Sequence, residues 1–510
     1  MKEGKIYLIG AGPGDPGLIT LKGMECIKKA DVVIYDYLAN PKLLEYAKED
    51  AELIYVGKKG GDHTCSQSGI NDVIIQKAKE GKIVARLKGG DPFIFGRGGE
   101  EAEELAKERV SFEIVPGVTS AISVPAYAGI PLTHRNFTSD VAFITGHEDQ
   151  KKDKSGIAWD KVSIGTGTLV FLMGVRNLSR IVKNLIENGR DSKTPVALIR
   201  WGTFGKQDTL IGNLETIAGL AKKKNFTPPA ITVVGEVVKL RDKLNWFETK
   251  PLFGRRIIVT RARSQASEFS NLLREYGAEP LEFPTIEVTP PESFDALDKA
   301  IDNLEEYDWL ILTSVNGVRF FLERLKLRSR DIRDLKGIRI CTIGPRTAEE
   351  IEKLGIKIDF VPEEYRAESI VEGLKRRGIK GKNILLPRAE EAREVLPEEI
   401  RNSSGRVDVV TAYKSVKPQR GRETVHGFLK EGEIDVITFT SSSTVRNFVS
   451  MFDRDELPAL IKGVTIASIG PITLETANDL GIETDIMPEK YTIPALTEAI
   501  VSYFLKKSLP

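Results

Sequence analysis

Short apolar runs, bounded by glycine, proline and small polar residues, recur along this chain and alternate with longer helical stretches. In the first half they predict strands at Lys5–Gly10, Asp31–Asp36, Glu52–Val56, Gly81–Leu87, Ser111–Val115, Val141–Thr145, Thr168–Met173, Pro195–Arg200 and Ala230–Glu236. Helices are expected over Leu18–Ala30, from Asn40 and Pro41 onward, over Glu100–Arg109, after Thr119 and Ser120, and from Gly174 to about Asn188. Glu100 and Glu101 sit in a first turn, where the positive end of the helix dipole favours acids. Glu148–Gly156 has no apolar period and reads as an exposed loop, and Val237–Phe247 closes the half. Strands alternating with helices predict an α/β protein, here with lobes of about 1–135 and 136–248.

The chemistry concentrates in the loops between these elements. Arg86–Glu101, RLKGGDPFIFGRGGEE, carries five glycines between an expected strand and an expected helix. Such a loop lets backbone amides approach a ligand closely, and a plain turn does not need two Gly-Gly pairs around an Asp-Pro. The first strand runs into GAGPGDPG, Gly10–Gly17, which is not a dinucleotide fingerprint. Its spacing is G-x-G-x-G-D, two prolines occupy the helix opening, and Asp15 would repel a pyrophosphate. A carboxylate there suits a cation or a polar neutral group. Asp36 falls at the carboxyl end of the second strand and is a candidate general base, with a cap or loop ion pair as the alternative. Lys58 reads as a second polar candidate or as a solvated lysine, and Thr119 and Ser120 as helix caps or ligand donors. By residue type alone, Met173 reads as core.

Glu248–Arg256 reads as a short linker, with residues 249–256 at its centre, and a fresh pattern follows that repeats itself. Ile257–Arg261 matches Ile384–Arg388, Asp308–Ser314 matches Asp435–Ser441, and Cys341–Pro345 matches Ala467–Pro471. The offsets are 388−261 = 127, 435−308 = 127 and 471−345 = 126, which predicts two similar α/β lobes with parallel sheets. In each lobe one strand ends in Thr-Ser and another in Gly-Pro-x-Thr before a helix. Hydroxyls and free amides at helix N-termini make carboxylate sites, and the same residues also serve as ordinary caps.

Composition narrows the function. With 74 basic and 73 acidic residues the net charge is +1, which argues against a nucleic-acid partner. Cys26, Cys65 and Cys341 form no Cys-x-x-Cys, and His134 has no neighbouring ligand cluster, so no metal site is expected. No run approaches a membrane span, and the expected location is the cytoplasm.

The stretches GAGPGDPGLITLKG (Gly10–Gly23), RLKGGDPFIFGRGGEE, VPGVTSAISVPAYAGIPLTHR (Val115–Arg135), LVFLMGV (Leu169–Val175), PVALIRWGT (Pro195–Thr203) and VVGEVVKLRDKLNWF (Val233–Phe247) together resemble uroporphyrinogen-III C-methyltransferase, the tetrapyrrole methylase of the sirohaem and cobalamin routes. The resemblance implies two α/β lobes around S-adenosylmethionine, with S-adenosylhomocysteine as product, over residues 1–248. It places Pro13, Gly89, Gly90, Asp91, Ile94, Thr119, Ser120, Met173 and Gly202 around the donor, with Asp36 as base and Lys58 as a second catalytic group. It gives Arg176 no catalytic role, leaves Arg97, Gly98 and Gly99 to shape the helix entry, and implies a homodimer through this domain.

VTRARSQASEF (Val259–Phe269), ITFTSSSTVRNF (Ile437–Phe448), ASIGPITLETANDLG (Ala467–Gly481) and YTIPALTEAI (Tyr491–Ile500) resemble uroporphyrinogen-III synthase, over residues 257–510. That family implies lobes of about 257–285 plus 418–508, and 290–414. It makes Tyr413 the proton donor and Ser314, Thr440, Ser441, Ser442 and Gly470 substrate contacts. The two resemblances together imply a bifunctional enzyme acting on small tetrapyrroles. The alternative is a methylase of a later corrin intermediate fused to a non-catalytic tetrapyrrole-binding module.

Overall fold

Alternation along the first strands decides how the N-terminal sheet is covered. The computed structural model describes residues 4–57, 66–147, 156–261, 263–364, 367–392, 394–416, 418 and 421–507. Strands β1 (Lys5–Gly10), β2 (Val32–Tyr35), β3 (Glu52–Tyr55), β4 (Ile83–Lys88) and β5 (Ser111–Val115) form a sheet of order β3-β2-β4-β1-β5. All its pairings are parallel, with Gly10 level with Lys88 and Ile9 level with Val115. A parallel sheet is buried on both faces. Ile6, Leu8, Ile34 and Val84 pack against Ile70 and Ile74 of α2 (Gln67–Lys79) and Leu105 of α3 (Gly98–Lys107). The alternate residues Ile9, Val33, Ala85 and Leu87 pack against Cys26 and Ile27 of α1 (Leu21–Lys29).

The helix expected from Leu18 begins instead at Leu21, capped by Thr20, whose side chain accepts from Gly23 N. Before it, Pro16–Leu18 forms a single tight turn, with the Asp15 side chain accepting from Gly17 N. Proline fixes φ and lacks an N–H, so a short turn forms and the chain leaves it extended at Ile19.

The second lobe is a mixed sheet of order β6-β7-β10-β8-β9, from β6 (Val141–Thr145), β7 (Thr168–Leu172), β8 (Pro195–Arg200), β9 (Asp208–Asn213) and β10 (Ala230–Val234). Only β6 and β7 pair in parallel. The sequence gives little sign of β9, an edge strand with no fully buried residue. One face packs on α6 (Leu178–Glu187) and α7 (Ile217–Lys223), reached after the short α5 (Trp159–Gly165). The other face carries Val170, Leu172, Ala197 and Ile199 against Ala121 and Val124 of α4 (Ser120–Tyr127). Helix α4 leaves the first sheet and covers the second, so its N-terminus lies where the two lobes meet.

Contacts divide the chain into Met1–Ile257 with Leu272–Pro280 and Val501–Pro510, and Ile258–Asn271 with Leu281–Ile500. Residues 249–256 are packed into the first unit: Leu252 is fully buried and donates to Tyr276 O at 2.9 Å, and Gly254 donates to Gly205 O at 3.1 Å.

The repeat seen in the sequence extends into geometry. Strands β11 (Arg256–Val259), β12 (Glu279–Glu282), β18 (Val436–Phe439) and β19 (Thr465–Ser468) form a sheet of order β12-β11-β18-β19. The other sheet, β13-β17-β16-β14-β15, comprises β13 (Glu287–Thr289), β14 (Trp309–Leu312), β15 (Arg339–Thr342), β16 (Asn383–Ala389) and β17 (Arg406–Val416). It is parallel except at β13, which runs antiparallel to β17. In one lobe Asp359 Oδ2 accepts from Ile340 N at 2.8 Å, and in the other Asp485 Oδ2 accepts from Ile466 N at 2.7 Å. The offset, 485−359 = 126, is that of the sequence repeat.

At the end of β1 the backbones approach closely: a Cβ added at Gly10 would lie 2.4 Å from Gly117 Cα. Gly10→Ala is expected to cost about 1–3 kcal/mol, read as a lowered melting transition of the first unit. At Gly99, where a Cβ meets nothing within 4 Å, Gly99→Ala leaves that transition unchanged or slightly raised.

Candidate active site

The ends of β1, β4 and β5 converge because their loops carry no side chains at the crossing. Gly90, at φ +71°, donates to Gly12 O at 2.7 Å and accepts from Gly12 N at 3.2 Å. A Cβ on Gly117 would lie 2.4 Å from Gly90 O, so this crossing is open only to glycine. Asp91 then locks it. Its Oδ1 accepts from Phe93 N at 2.8 Å and Ile94 N at 3.2 Å, and its Oδ2 accepts from Gly117 N at 2.9 Å. The carboxylate of the central loop therefore faces the protein's own amides.

Above this floor lies a cavity of about 660 Å³, within the usual range for a small-molecule site. Pro13, Asp36, Gly89, Gly90, Asp91, Ile94, Thr119, Ser120, Met173 and Gly202 all line it. The first lobe and the start of α4 supply all but Met173 and Gly202, which come from the second lobe. Lys58 lies outside the described residues, as do residues 148–155 of the expected exposed loop. Thr119 is the cap of α4, with its hydroxyl accepting from Ala121 N at 3.3 Å.

Met173 is not core, as its residue type suggests. It is 51% exposed and held at φ +57° on the cavity wall. Phe95 at φ +53° and Trp201 at φ +50° line the same cavity. Bulky residues in this region cost about 1–3 kcal/mol each and persist where the surroundings over-determine them.

Asp36 Oδ1 accepts from Leu38 N at 3.1 Å, and Oδ2 accepts from Arg86 Nη2 at 3.2 Å. The loop ion pair is present, and the carboxylate also borders the cavity. Asp15 proves to be structural rather than ligand-facing. Its Oδ2 accepts from the Tyr127 hydroxyl at 2.7 Å, and its N–H donates to Thr203 Oγ1 at 2.9 Å. Burial and then Asp15 hold the Tyr127 hydroxyl well above its usual pKa.

The sequence reading missed the aromatic wall. Tyr35, Tyr37, Tyr55 and Trp201 line the cavity, with Tyr35 and Tyr55 rings 5.4 Å apart and Tyr37 and Trp201 6.0 Å apart. The signal was present in Tyr35 and Tyr37 flanking Asp36, and in the Phe-Ile-Phe of a glycine-rich loop. Arg176, given no role, also borders the cavity. Arg97, in the left-handed region, caps α3 without a side-chain bond and pairs with Glu100 on the surface.

In the second unit the predicted residues gather in two sets. Ser314 caps the helix Val315–Leu327, accepting from Gly317 N at 3.0 Å, and its hydroxyl lies 2.9 Å from that of Tyr413. Tyr413 is 8% exposed and stacks on Phe320. In the other set Ser441 caps the helix Ser442–Ser450, with Thr440 immediately before it, and Ser442 donates to Ile472 O at 3.2 Å, just after Gly470.

The sequence repeat pairs Arg261 with Arg388, and neither was singled out as a site residue. Arg388 is buried and pairs with Glu394. Burial lowers the pKa of Arg261, and the like charge of Arg346 lowers it further. Arg261 follows β11, and Arg346 lies in the first turn of the helix Pro345–Glu352. Among the described residues, no group of three or more His, Cys, Asp and Glu is placed to hold a metal, and no helix is long and apolar enough to cross a membrane.

These features define a two-part α/β enzyme, with a glycine-floored cavity between two lobes and then a duplicated pair of lobes. The tetrapyrrole (corrin/porphyrin) methylase family matches residues 5–218, and the uroporphyrinogen-III synthase HemD family matches residues 267–498. The porphyrin biosynthesis protein HemD of Ruminiclostridium josui is 37% identical over 501 residues, 98% of either chain. The S-adenosyl-L-methionine-dependent uroporphyrinogen III methyltransferase of Methanosarcina barkeri is 54% identical over 241 residues, 47% of this chain and 94% of its own. A solved uroporphyrin-III C-methyl transferase from Thermus thermophilus, complexed with S-adenyl homocysteine, is 38% identical over 46% of this chain and 99% of its own, with a TM-score of 0.40. The chain belongs to the family of fused porphyrin biosynthesis proteins that join a tetrapyrrole methylase to a HemD-type synthase. It is an enzyme of tetrapyrrole biosynthesis with methyltransferase and uroporphyrinogen-III synthase-like domains.

Asp91→Asn keeps an acceptor for Phe93 and Ile94 but turns a donor toward Gly117 N. The expected loss is about 1–3 kcal/mol of stability in the first unit. Hydrogen exchange at the Gly117 amide should rise while Phe93 and Ile94 stay protected; unchanged exchange at Gly117 would remove Asp91 from this role.

Proposed function

We propose that the N-terminal half transfers two methyl groups from S-adenosylmethionine to uroporphyrinogen III, giving precorrin-2. The C-terminal half makes that substrate by closing hydroxymethylbilane with inversion of one ring and loss of water. What carries the reading is the convergence of Asp36 and nine donor-contact candidates on one cavity. The lining fits a zwitterion joined to a flat heterocycle. Glycine backbone, Thr119 and Ser120 offer polar contacts, and Pro13, Ile94 and Met173 offer apolar ones.

S-adenosylmethionine supplies an electrophilic methyl group on a sulfonium leaving group, so the protein's task is alignment and proton removal. The glycine loops hold the donor's polar end, and the two lobes fix its distance from the macrocycle. Asp36 takes the proton that leaves the macrocycle when a pyrrole carbon becomes bonded to methyl, and Lys58 is the second polar group. The Arg86 ion pair and the Leu38 amide keep the Asp36 carboxylate at the cavity edge.

In the C-terminal half the Tyr413 hydroxyl gives its proton to the departing hydroxyl, which leaves as water. Ser314, 2.9 Å away, holds the phenolic oxygen. Ser314, Thr440, Ser441, Ser442 and Gly470, with Arg261, Arg346 and Arg388, receive the substrate's carboxylates. The same reading gives a cytoplasmic homodimer joined through the methyltransferase half.

The test feeds hydroxymethylbilane and S-adenosylmethionine to the whole protein and follows the precorrin-2 spectrum. Wild type should form precorrin-2. Asp36→Ala should accumulate uroporphyrinogen III, with methylation at least ~10²-fold slower. Tyr413→Phe should slow ring closure while leaving methylation of supplied uroporphyrinogen III intact. Formation of isomer I alone by the wild type would reject the synthase reading, and undiminished methylation by Asp36→Ala would remove Asp36 as base.

A further inference from the structure

Strand β4 carries two cations into the interior, Arg86 at 3% and Lys88 at 4% exposure. Alternate residues of a strand share a face, so both reach the side from which α3 brings Glu101, itself 1% exposed. Lys88 Nζ donates to Glu101 Oε1 at 2.7 Å, and Gln67 Nε2 donates to the same oxygen at 3.1 Å. Arg86 Nε lies 3.7 Å from that oxygen, while Arg86 Nη2 reaches Asp36 Oδ2 at 3.2 Å on the other side. Two positive and two negative groups thus form one row, from the interior to the cavity edge. Burial lowers the pKa of Lys88 and Arg86 lowers it further, with Glu101 opposing both.

A purely structural role is the competing account. Apolar residues would secure α3 at least as well, because desolvating buried ions is costly. Two atoms of the row, Arg86 Nε and Glu101 Oε2, are buried without a hydrogen-bond partner among the described residues, a desolvation cost that packing of α3 does not require. Only Asp36 of the four charged members borders the cavity. Tyr55 on β3 and Tyr35 and Tyr37 flank Asp36, and among the described residues Asp91, His147, Arg176 and Lys206 line the same cavity. Within the buried row the two cations are balanced by Asp36 and Glu101.

We propose that Glu101 is a positioning residue for Asp36. It cancels the buried charge of Lys88, so that Arg86 orients the Asp36 carboxylate without capturing it and the carboxylate remains able to accept a proton. The proposal rests on reading Asp36 as the base of methylation. With Glu101 neutral, Arg86 and Lys88 together face Asp36 with one excess positive charge. Asp36 is then held more tightly and accepts a proton less readily.

The experiment uses the full-length protein with uroporphyrinogen III and S-adenosylmethionine, and S-adenosylhomocysteine as the calorimetric probe of the donor site. Glu101→Gln is expected to lower kcat of methylation about 10²-fold, with binding of S-adenosylhomocysteine held within about 2-fold. Adding Lys88→Met to Glu101→Gln removes one charge of each sign. The double variant should recover most of the lost kcat. Normal kcat in the single variant overturns the proposal, as does a double variant no faster than the single one, since packing rather than charge would then be at work. If Glu101→Gln does not fold, the double variant decides: near-normal kcat supports charge balance, and failure to fold or turn over rejects it. Asp36→Ala, measured alongside, separates the two claims, because full activity there would defeat the base assignment itself.

Discussion

Backbone meets backbone at Gly10, Gly90 and Gly117, and the first unit depends on that contact. Three parallel strands end side by side, and their loops must cross without side chains between them. An added Cβ at Gly10 or Gly117 would lie 2.4 Å from the opposing backbone. Because the crossing is bare, Gly12 and Gly90 can exchange hydrogen bonds, and Asp91 can reach across to Gly117. The result is a cavity floor built from amides and carbonyls whose positions are fixed before any ligand arrives. Preorganised backbone dipoles of this kind need no rearrangement when a polar ligand binds.

Other features follow from holding that floor in place. The lobe opposite presents Met173 and Trp201 from left-handed backbone, a strained state that the close-packed second sheet can impose. Asp15 joins the first loop to Tyr127 through its carboxylate and to Thr203 through its backbone N–H, so the strands' exit and the second lobe's loop are tied through one residue. The second unit solves a similar problem by repetition. Ser314 and Ser441 cap equivalent helices, and Asp359 and Asp485 each accept from the amide of an equivalent strand. Two lobes of the same design thus present like strand ends and like helix N-termini.

Much of this was legible in the sequence where the signal was local. Glycine pairs and a rejected dinucleotide spacing marked the loops, and constant offsets marked the duplication. The resemblance then picked out ten residues that line one cavity. What the sequence withheld was partnership at a distance. Asp91 read as a ligand contact and does line the cavity, but the sequence did not show that its carboxylate bonds to amides of its own loop and of Gly117. Asp15 read as a ligand-facing charge, and besides its local bond to Gly17 N its partners Tyr127 and Thr203 lie more than a hundred residues away. Arg86, Lys88 and Glu101 all lie in the glycine-rich stretch Arg86–Glu101, but a linear motif does not reveal that two cations and an acid share one buried face. Arg261 and Arg388 were visible as a repeat pair, and only burial distinguished them from surface arginines. Edge strand β9 escaped because a half-exposed strand leaves little apolar pattern.

The most direct measurement of the central claim is backbone hydrogen exchange on the whole protein with and without S-adenosylhomocysteine. The account predicts new protection at Gly89–Ile94, at Thr119 and Ser120, and at Met173 and Gly202, with Ser314–Gly317 and Ser441–Thr444 unchanged. Protection absent from the glycine loops and appearing instead in the second unit would contradict it.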